Sequence, residues 1–415
     1  MEAQFHRELE DKVNKFTDRK EMVIIRGPRQ SGKTTLLRLI SSKIAGKKSS
    51  LDLDILSDRL ALEQSPIEFV KSLGEGKLTL FLDEIQRMEN GGEKLKIIYD
   101  NLSNVKVFAT GSSSLQIKSN ILNYLVGRAL VFELFTLSFS EFLMAKDVRA
   151  HNAFAERNKS LLEFFKSGSD ITKPFLSDIL SALLKEYMVF GGYPEVVKST
   201  DKGMKIALLK NIVSNHMDKD VISFFRIAET RSFASFSKAV SFNTANLFSL
   251  ASISREIGIS YPRASGYTDV LINTYIIALI RPYHKNLVTE IKKEPKLYFM
   301  DLGFRNSLMD NFSDFDNRDD KGKIAENFVF RELITMGFDA KYWRTTSKGE
   351  VDFVIKINEE LIPIEVKLGG GALGKSFHSF IDTYGPKKAV IVTKDEFKKQ
   401  EIGNTTVYWL PIFYL

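Results

Sequence analysis

The chain contains no cysteine among its 415 residues. This absence excludes disulfide bonds, thiolate metal sites and cysteine nucleophiles. No segment approaches the roughly 20 uninterrupted apolar residues of a membrane-spanning helix. The first residues also lack the apolar stretch of a secretory signal peptide. We therefore expect a soluble cytoplasmic protein without a membrane partner.

The chain also lacks a strongly cationic block, although its net charge is +7. The basic excess is spread along the sequence, so it is compatible with nucleic-acid binding without requiring it. A hydrophobic content of 44% indicates folded domains throughout. The length predicts two to three of them. No internal repeat or low-complexity tract is present.

A glycine-containing loop near the start carries the strongest functional signal. Residues 27–34 read Gly-Pro-Arg-Gln-Ser-Gly-Lys-Thr, between an apolar run at 22–25 and a helical pattern at 35–40. Strand, loop and helix in this order surround a polyphosphate with backbone N–H groups and a helix N-terminus. Lys33 would reach the β- and γ-phosphates, and Thr34 would hold Mg²⁺. The predicted ATP-binding residues here are Gly27, Pro28, Arg29, Gln30, Ser31, Gly32, Lys33, Thr34 and Thr35.

Another apolar strand, predicted at residues 78–83, ends in two acids, Asp83 and Glu84. Asp83 is placed to hold Mg²⁺ through water, and Glu84 is the usual type of residue for activating the attacking water. A strand that merely ends in solvated acids is the alternative.

Hydroxyl residues end the predicted strand at 105–110. If this strand lies beside the first, Thr110 or Ser112 would sense the γ-phosphate; a serine-rich turn is the alternative. Arg128 precedes the strand at 129–134. It would stabilise charge on the transferred phosphoryl group, in its own subunit or a neighbour's, unless it is a surface ion pair.

The first 140 or so residues alternate strand-like and helical patterns, which predicts a parallel sheet covered on both faces. The predicted strands are 22–26, 50–54, 78–83, 105–110 and 129–134. Polar residues at 146–173 predict a domain boundary or an exposed insertion. The acidic stretch 314–321 predicts a second boundary.

These motifs, with Leu137-Ser138-Phe139-Ser140-Glu141-Phe142, resemble those of uncharacterised archaeal and bacterial AAA-type ATPases with a C-terminal domain of unknown function. Gly191-Gly192-Tyr193-Pro194-Glu195 and the run 296–303, Lys-Leu-Tyr-Phe-Met-Asp-Leu-Gly, look like that family's middle signatures. The resemblance spans nearly the whole chain. It implies ATP binding and this fold, and it supplies no biological role.

The middle region predicts a helix-turn-helix in a winged-helix domain. Residues 249–272 read as two helices around Gly258, and 276–282 and 297–300 as the strands of a wing. Arg263 is the main base-reading candidate in the second helix. The wing offers Lys285, Lys292, Lys293 and Lys296 for phosphate contact. An interaction domain with a solvated basic loop is the alternative.

The last hundred residues place acids and a lysine on one predicted hairpin. Glu365 and Lys367 are two apart on one strand and so face the same way, and Asp352 lies on the partner strand. Glu326 shares a helix face with apolar residues, so it needs a polar partner and is expected at the same site. Carboxylates beside an ammonium predict a divalent-cation site with Lys367 orienting water.

This pattern resembles the PD-(D/E)XK nuclease superfamily over roughly residues 320–395. The resemblance implies that Glu326, Asp352 and Glu365 bind Mg²⁺ or Mn²⁺. A site of this kind can also bind nucleic acid without cutting it, and Lys367 can serve as a structural counter-ion only.

We therefore expect an α/β protein with a P-loop NTPase core at 1–145, a helical and winged-helix domain at 175–313, and a small restriction-endonuclease-like domain at 320–415. The predicted function is ATP hydrolysis, with Mg²⁺, coupled to binding or metal-dependent cleavage of DNA or RNA. The alternative is a signalling or scaffold ATPase whose last domain is a non-catalytic docking module. Homo-oligomerisation stays open.

Overall fold

The computed structural model describes residues 5–112, 121–217, 230–284, 290, 293–345 and 348–415. The chain divides into two units, one formed by Met1–Leu137 with Asn273–Tyr275 and the other by Ser138–Ile272 with Ile276–Leu415. The stretch 314–321 therefore lies inside the second unit. None of the described helices is both long and apolar enough to cross a membrane.

The first unit is built on a five-stranded parallel sheet in the order β2-β3-β4-β1-β5. Its strands are β1 (Met22–Arg26), β2 (Lys47–Asp52), β3 (Leu78–Asp83), β4 (Val105–Gly111) and β5 (Ala129–Glu133). Its described helices are α1 (Glu8–Asn14), α2 (Lys33–Lys43), α3 (Leu56–Gln64), α4 (Pro66–Ser72) and α5 (Gly91–Asn101). The sheet and strand order confirm the predicted P-loop NTPase fold.

Burial on both faces explains why β1 reads as a continuous apolar run. Met22 and Ile24 pack into one hydrophobic cluster, whereas Val23 and Ile25 pack into another. Successive side chains of a strand point to opposite faces, so a strand covered by helices on both sides has no polar positions. The apolar run therefore fixes β1 inside the sheet, directly before the glycine loop.

The second unit begins with helices. The described ones are α6 (Phe139–Lys146), α7 (Val148–Ser167), α8 (Ser177–Phe190), α9 (Pro194–Lys198), α10 (Lys202–His216), α11 (Thr230–Phe242), α12 (Leu250–Glu256), α13 (Tyr261–Asn273) and α14 (Leu302–Leu308). An antiparallel pair, β6 (Ile277–Ile280) and β7 (Lys296–Phe299), follows α13. Two helices before such a pair agree with the predicted order, although a winged-helix identity stays a prediction. Lys285 and Lys292 lie outside the described residues.

The polar stretch at 146–173 is mostly the 20-residue helix α7, so the prediction of an exposed insertion is wrong. Asp147 caps its first turn by accepting hydrogen bonds from the N–H groups of Arg149 and Ala150, at 2.8 and 3.2 Å. Gly168 ends it in the left-handed conformation, with φ +79°. Its apolar residues are buried at spacings that follow one helix face: Ala150, Ala153, Phe154, Leu161, Phe164 and Phe165.

The two middle signatures of the sequence meet in the second unit. The Asp301 carboxylate accepts hydrogen bonds from the N–H groups of Gly192 and Phe304, at 2.9 and 3.0 Å. A Cβ atom on Gly303 would lie 2.1 Å from the Phe190 carbonyl oxygen, so only glycine permits this approach. These signature residues therefore hold the end of α8 against the start of α14.

A six-stranded sheet ends the chain, in the order β12-β13-β11-β10-β9-β8. Its strands are β8 (Lys341–Arg344), β9 (Glu350–Ile357), β10 (Glu360–Val366), β11 (Lys388–Thr393), β12 (Lys398–Ile402) and β13 (Thr405–Pro411). Helix α15 (Lys321–Thr335) precedes it, and α16 (Lys375–Tyr384) connects β10 to β11. β9 and β10 form the predicted hairpin, with positive φ at both turn residues, Asn358 and Glu359.

Candidate functional sites

The order of the first sheet brings the ends of three strands together. β4 lies between β1 and β3, with Thr110 beside Ile25 and Ala109 beside Leu82. Since parallel strands end at the same edge, the loop after β1, the acids at the end of β3 and the hydroxyls at the end of β4 share one edge. The sensing role considered for Thr110 or Ser112 requires that β4 lie beside β1, and the structure meets this condition.

The glycine loop is closed around the Lys33 side chain. Lys33 is buried and its Nζ donates to the carbonyl oxygens of Gly27 and Pro28, at 3.1 and 2.8 Å. Gly32 has φ +96° and directly precedes α2. A Cβ on Gly27 would lie 2.0 Å from the Leu134 carbonyl oxygen. Both glycines are thus required by the backbone, and the ammonium lies over the loop.

The other predicted loop residues lie around this cradle. Ser31 and Pro28 are buried, Arg29 and Thr34 are half-buried, and Gln30 and Thr35 are exposed. Gln30 has φ +59°, so the loop reverses through a left-handed conformation there.

A single hydroxyl joins the two acids after β3. The Thr110 hydroxyl donates to Asp83 Oδ1 and accepts from the Glu84 N–H at 3.2 Å. Asp83 is buried, and Glu84 takes the left-handed conformation with φ 57°. A non-glycine residue in this region is uncommon and carries a cost, so the Thr110 contacts help to hold Glu84 there.

Gln86 completes the arrangement, and sequence reasoning missed it. Its Nε2 donates to Glu84 Oε2 and to Ser112 Oγ, the latter at 2.8 Å, while the Ser112 hydroxyl donates to Glu84 Oε2 at 2.9 Å. The Glu84 carboxylate therefore accepts hydrogen bonds from two donors. The sequence offered one signal for this role, because Gln86 follows Glu84 by only two residues and carries an amide that can donate to its carboxylate.

Thr34 and Asp83 line one cavity of about 440 Å³ beside the loop, together with Arg38, Ser41 and Asp52. A hydroxyl and a carboxylate are hard oxygen ligands of the kind that Mg²⁺ prefers. These residues fit the predicted magnesium position.

Arg128 lies at the other end of the sheet. It directly precedes β5, where Ala129 pairs with Met22 at the start of β1, while the glycine loop follows the end of β1. Its Nε and Nη2 donate to the two carboxylate oxygens of Asp100, at 2.8 and 3.2 Å. This position does not support a role at the phosphate loop of its own subunit. Action on a neighbouring subunit stays a prediction.

A buried lysine occupies the centre of the C-terminal acids. Lys296, on β7, is 2% exposed, and its Nζ lies 2.7 Å from Glu326, 2.6 Å from Glu350 and 3.6 Å from Asp352. The Tyr298 hydroxyl also donates to Glu326 Oε1, at 2.6 Å. The prediction that Lys296 contacts nucleic-acid phosphates from an exposed wing is therefore wrong, because its ammonium is buried among carboxylates.

Glu365 and Lys367 pair with each other, with Nζ 2.9 Å from Glu365 Oε1. The other carboxylate oxygen, Oε2, is buried and has no hydrogen-bond partner among the described residues. Asp352 Oδ2 accepts a hydrogen bond from the Val366 N–H at 2.8 Å, which anchors β9 to β10 beside this pair.

Burial raises the pKa of Glu326 to about 7, and the charge of Asp352 adds to the shift against the opposing effect of Lys296. Burial also raises the pKa values of Asp352 and Glu365. The described residues contain no group of three or more His, Cys, Asp or Glu side chains arranged to hold a metal ion. The four residues predicted for the metal site lie in one region: Glu326, Asp352, Glu365 and Lys367. The cation between Glu326 and Asp352, however, is the Lys296 ammonium.

Comparisons with known proteins agree with a nucleotide site in the glycine loop after β1. Residues 19–143 match a family model described as an AAA domain. Residues 181–315 and 321–413 match two domains of unknown function, DUF8612 and DUF4143. Residues 19–143 thus form an AAA-type P-loop ATPase domain. The nuclease-like assignment of the C-terminal region is not confirmed.

The similar proteins include an uncharacterised protein of Methanocaldococcus jannaschii, 28% identical over 82% of this chain and 74% of its own length. An uncharacterised protein of Haemophilus influenzae is 23% identical over 95% of this chain and 94% of its own. Among solved structures, the Walker-type ATPase of Pyrococcus abyssi matches with a TM-score of 0.46 and 15% identity, over 74% of this chain and 96% of that one.

The raised pKa of Glu326 predicts that the stability of the fold depends measurably on pH. A carboxyl whose pKa is raised to about 7 stabilises the fold while protonated, and this contribution is lost as pH rises from its unfolded pKa through 7. We expect the free energy of unfolding to fall over this range by at most about 3 kcal/mol from this group. Glu326→Gln, which cannot titrate, should reduce the fall in denaturant titrations at pH 5 and 8.

The matched control is Glu163→Gln, at an exposed position of the same unit. It should keep the wild-type dependence on pH. An unchanged dependence in Glu326→Gln would show that Glu326 titrates normally in the folded protein.

Proposed function

We propose that this protein binds and hydrolyses ATP at the edge of the first sheet. The observation that carries the proposal is the convergence of Lys33, Asp83 and Glu84, with Thr110 between the two acids. Each residue type suits one task in phosphoryl transfer to water, and the sheet order supplies the geometry.

Some of these residues would bind the nucleotide, and another would act in the hydrolysis step. The loop N–H groups and Lys33 would bind the phosphates, after the Lys33 ammonium leaves the carbonyls of Gly27 and Pro28. Thr34 and Asp83 would hold Mg²⁺, which neutralises phosphate charge when bound. Glu84 would orient the attacking water and accept its proton as the bond between the γ-phosphorus and the bridging oxygen breaks.

Ser112 and Gln86 would regulate that chemistry. Their hydrogen bonds hold the Glu84 carboxylate. A γ-phosphate that attracted the Ser112 hydroxyl would remove one of these donors and free Glu84 to meet the water. Ser112 is therefore the preferred γ-phosphate sensor, and Thr110 the residue that orients the acids.

For the second unit, the arrangement around Lys296 supports a non-catalytic role for these acids. A buried ammonium with three carboxylate neighbours is well paired, and it ties β7 to α15 and β9. The protein would then act as an ATPase switch whose C-terminal region binds a partner.

Metal-dependent cleavage of nucleic acid is the second candidate. One observation favours it: the buried Glu365 Oε2 has no hydrogen-bond partner among the described residues, as expected of a ligand that awaits a cation. The present placement does not fit a metal, because Lys296 already lies between Glu326 and Asp352. Binding to DNA or RNA without cleavage would appear as an affinity that falls steeply with salt.

The nucleotide site predicts different defects for two substitutions. Lys33→Ala should abolish tight ATP binding, because it removes the phosphate-binding ammonium. Glu84→Gln should keep ATP affinity and lower the hydrolysis rate by about 10²–10⁴-fold, because general-base catalysis is lost. Equilibrium binding and steady-state phosphate release measure the two effects. Wild-type turnover by Glu84→Gln would contradict the role given to Glu84.

We expect the Lys296→Met variant to gain the ability to bind a metal ion. The change leaves Glu326, Glu350 and Asp352 without their shared cation, which should cost about 3–5 kcal/mol of stability. Mn²⁺, added without nucleotide, should raise the melting temperature of this variant and leave the wild type unchanged, since binding to the folded state stabilises it. Lys356→Met is the matched control, because it removes an ammonium of β9 that pairs with the exposed Glu359 and leaves Lys296 in place.

Either of two results would contradict this account. Mn²⁺ that stabilises the wild type as strongly as the variant would mean that Lys296 yields to metal, which favours cleavage. No stabilisation of Lys296→Met would mean that the three carboxylates do not form a cation site.

A further inference from the structure

Arg7 is a buried arginine that contacts the phosphate loop from behind. It directly precedes α1 and is 5% exposed. Its Nη1 donates to the Ser31 carbonyl oxygen and its Nη2 to the Phe135 carbonyl oxygen, each at 2.7 Å. One guanidinium therefore joins three chain segments that are far apart in sequence.

The bond to Ser31 fixes the direction of a phosphate donor. The Ser31 carbonyl and the Gly32 N–H belong to one planar peptide group, and no described peptide bond is cis. In a trans peptide the carbonyl and the N–H point in opposite directions, so the carbonyl bound by Arg7 turns the Gly32 N–H away from the guanidinium. Loop N–H groups of this kind are the donors that surround a polyphosphate.

The same bond strengthens that donor. A hydrogen bond from a charged guanidinium to a carbonyl is short and strong, and it polarises the peptide so that its N–H becomes more positive. Burial of the contact increases the effect, because little water is present to screen it.

The bond to Phe135 holds the other side of the loop. The neighbouring residue Leu134 donates its N–H to the Arg26 carbonyl oxygen at 2.8 Å, and its own carbonyl lies where a Cβ of Gly27 would be. The segment after β5 thus supports the start of the loop, while Arg7 connects that segment to the end of the loop. Contacts within the protein therefore hold the cradle at both ends.

We propose that Arg7 is a positioning residue of the nucleotide site, which pre-forms the phosphate cradle by holding the Ser31–Gly32 peptide. This inference rests on the proposed ATP-binding function and adds a residue outside the loop to it. Pre-formation lowers the cost of binding, because the loop N–H groups need not be ordered when the phosphates arrive.

The test is the nucleotide affinity of Arg7→Gln, measured together with steady-state kinetics. ATP and ADP should bind about tenfold more weakly, because both carry the phosphates that the cradle surrounds. The kcat at saturating ATP should stay within about twofold, since an interaction made equally in the ground state and the transition state changes KM alone. Arg7→Lys, which keeps the charge and can reach one carbonyl at a time, should fall between wild type and Arg7→Gln.

Arg19→Gln is the matched control, because Arg19 is an exposed arginine of the same unit that pairs with Glu21. It should leave both affinities unchanged. Normal ATP and ADP affinity in Arg7→Gln would overturn the inference. So would a drop in kcat as large as the loss in affinity, which indicates general misfolding. If Arg7→Gln does not fold, wild-type affinity in Arg7→Lys would overturn it.

Failure of the wider proposal looks different. If wild-type protein binds no ATP, the proposed function itself is wrong. If wild type binds ATP, Lys33→Ala does not, and the Arg7 variants bind normally, only the role of Arg7 is wrong.

Discussion

Parallel pairing of the first sheet is the constraint on which the nucleotide site depends. Because β1, β3 and β4 run in one direction, the loop after β1, the acids at the end of β3 and the hydroxyls at the end of β4 all lie at the same edge. The central position of β4 then allows Thr110 to contact both acids. Apolar runs that are buried on both faces keep these strands in place, so the core and the site are specified together.

The C-terminal acids follow a different electrostatic rule. Carboxylates this close and this buried need a positive neighbour, and the chain supplies one from β7 through Lys296. An ammonium is part of the fold, whereas a metal ion has to be bound from solution. A site that is neutralised from within is therefore suited to holding β7, α15 and β9 together, which is why we prefer a non-catalytic role for these acids.

The sequence predicted what depends on local pattern: the strands of the first sheet, the glycine loop, the acids after β3 and the β9–β10 hairpin. Features that depend on distant partners were missed. Lys296 looked like a solvated wing residue because its three carboxylates come 30 or more positions later. Arg128 looked catalytic until the pairing of β5 with β1 placed it at the opposite end of the sheet. The sequence analysis missed helix α7 because most of its residues lie on the polar face, and only the smaller, apolar face is buried. The predicted division into three domains and the roles of the site residues stay predictions.

The central claim is that ATP binds in the loop after β1, and a crystal structure of Glu84→Gln grown with Mg²⁺ and ATP tests it most directly. The account predicts phosphates surrounded by residues 27–34, with Lys33 Nζ moved from the carbonyls of Gly27 and Pro28 to phosphate oxygens. It also predicts Mg²⁺ at Thr34, on the side of Asp83. A nucleotide bound elsewhere, or a Lys33 that keeps both carbonyl contacts while ATP is bound, would contradict it.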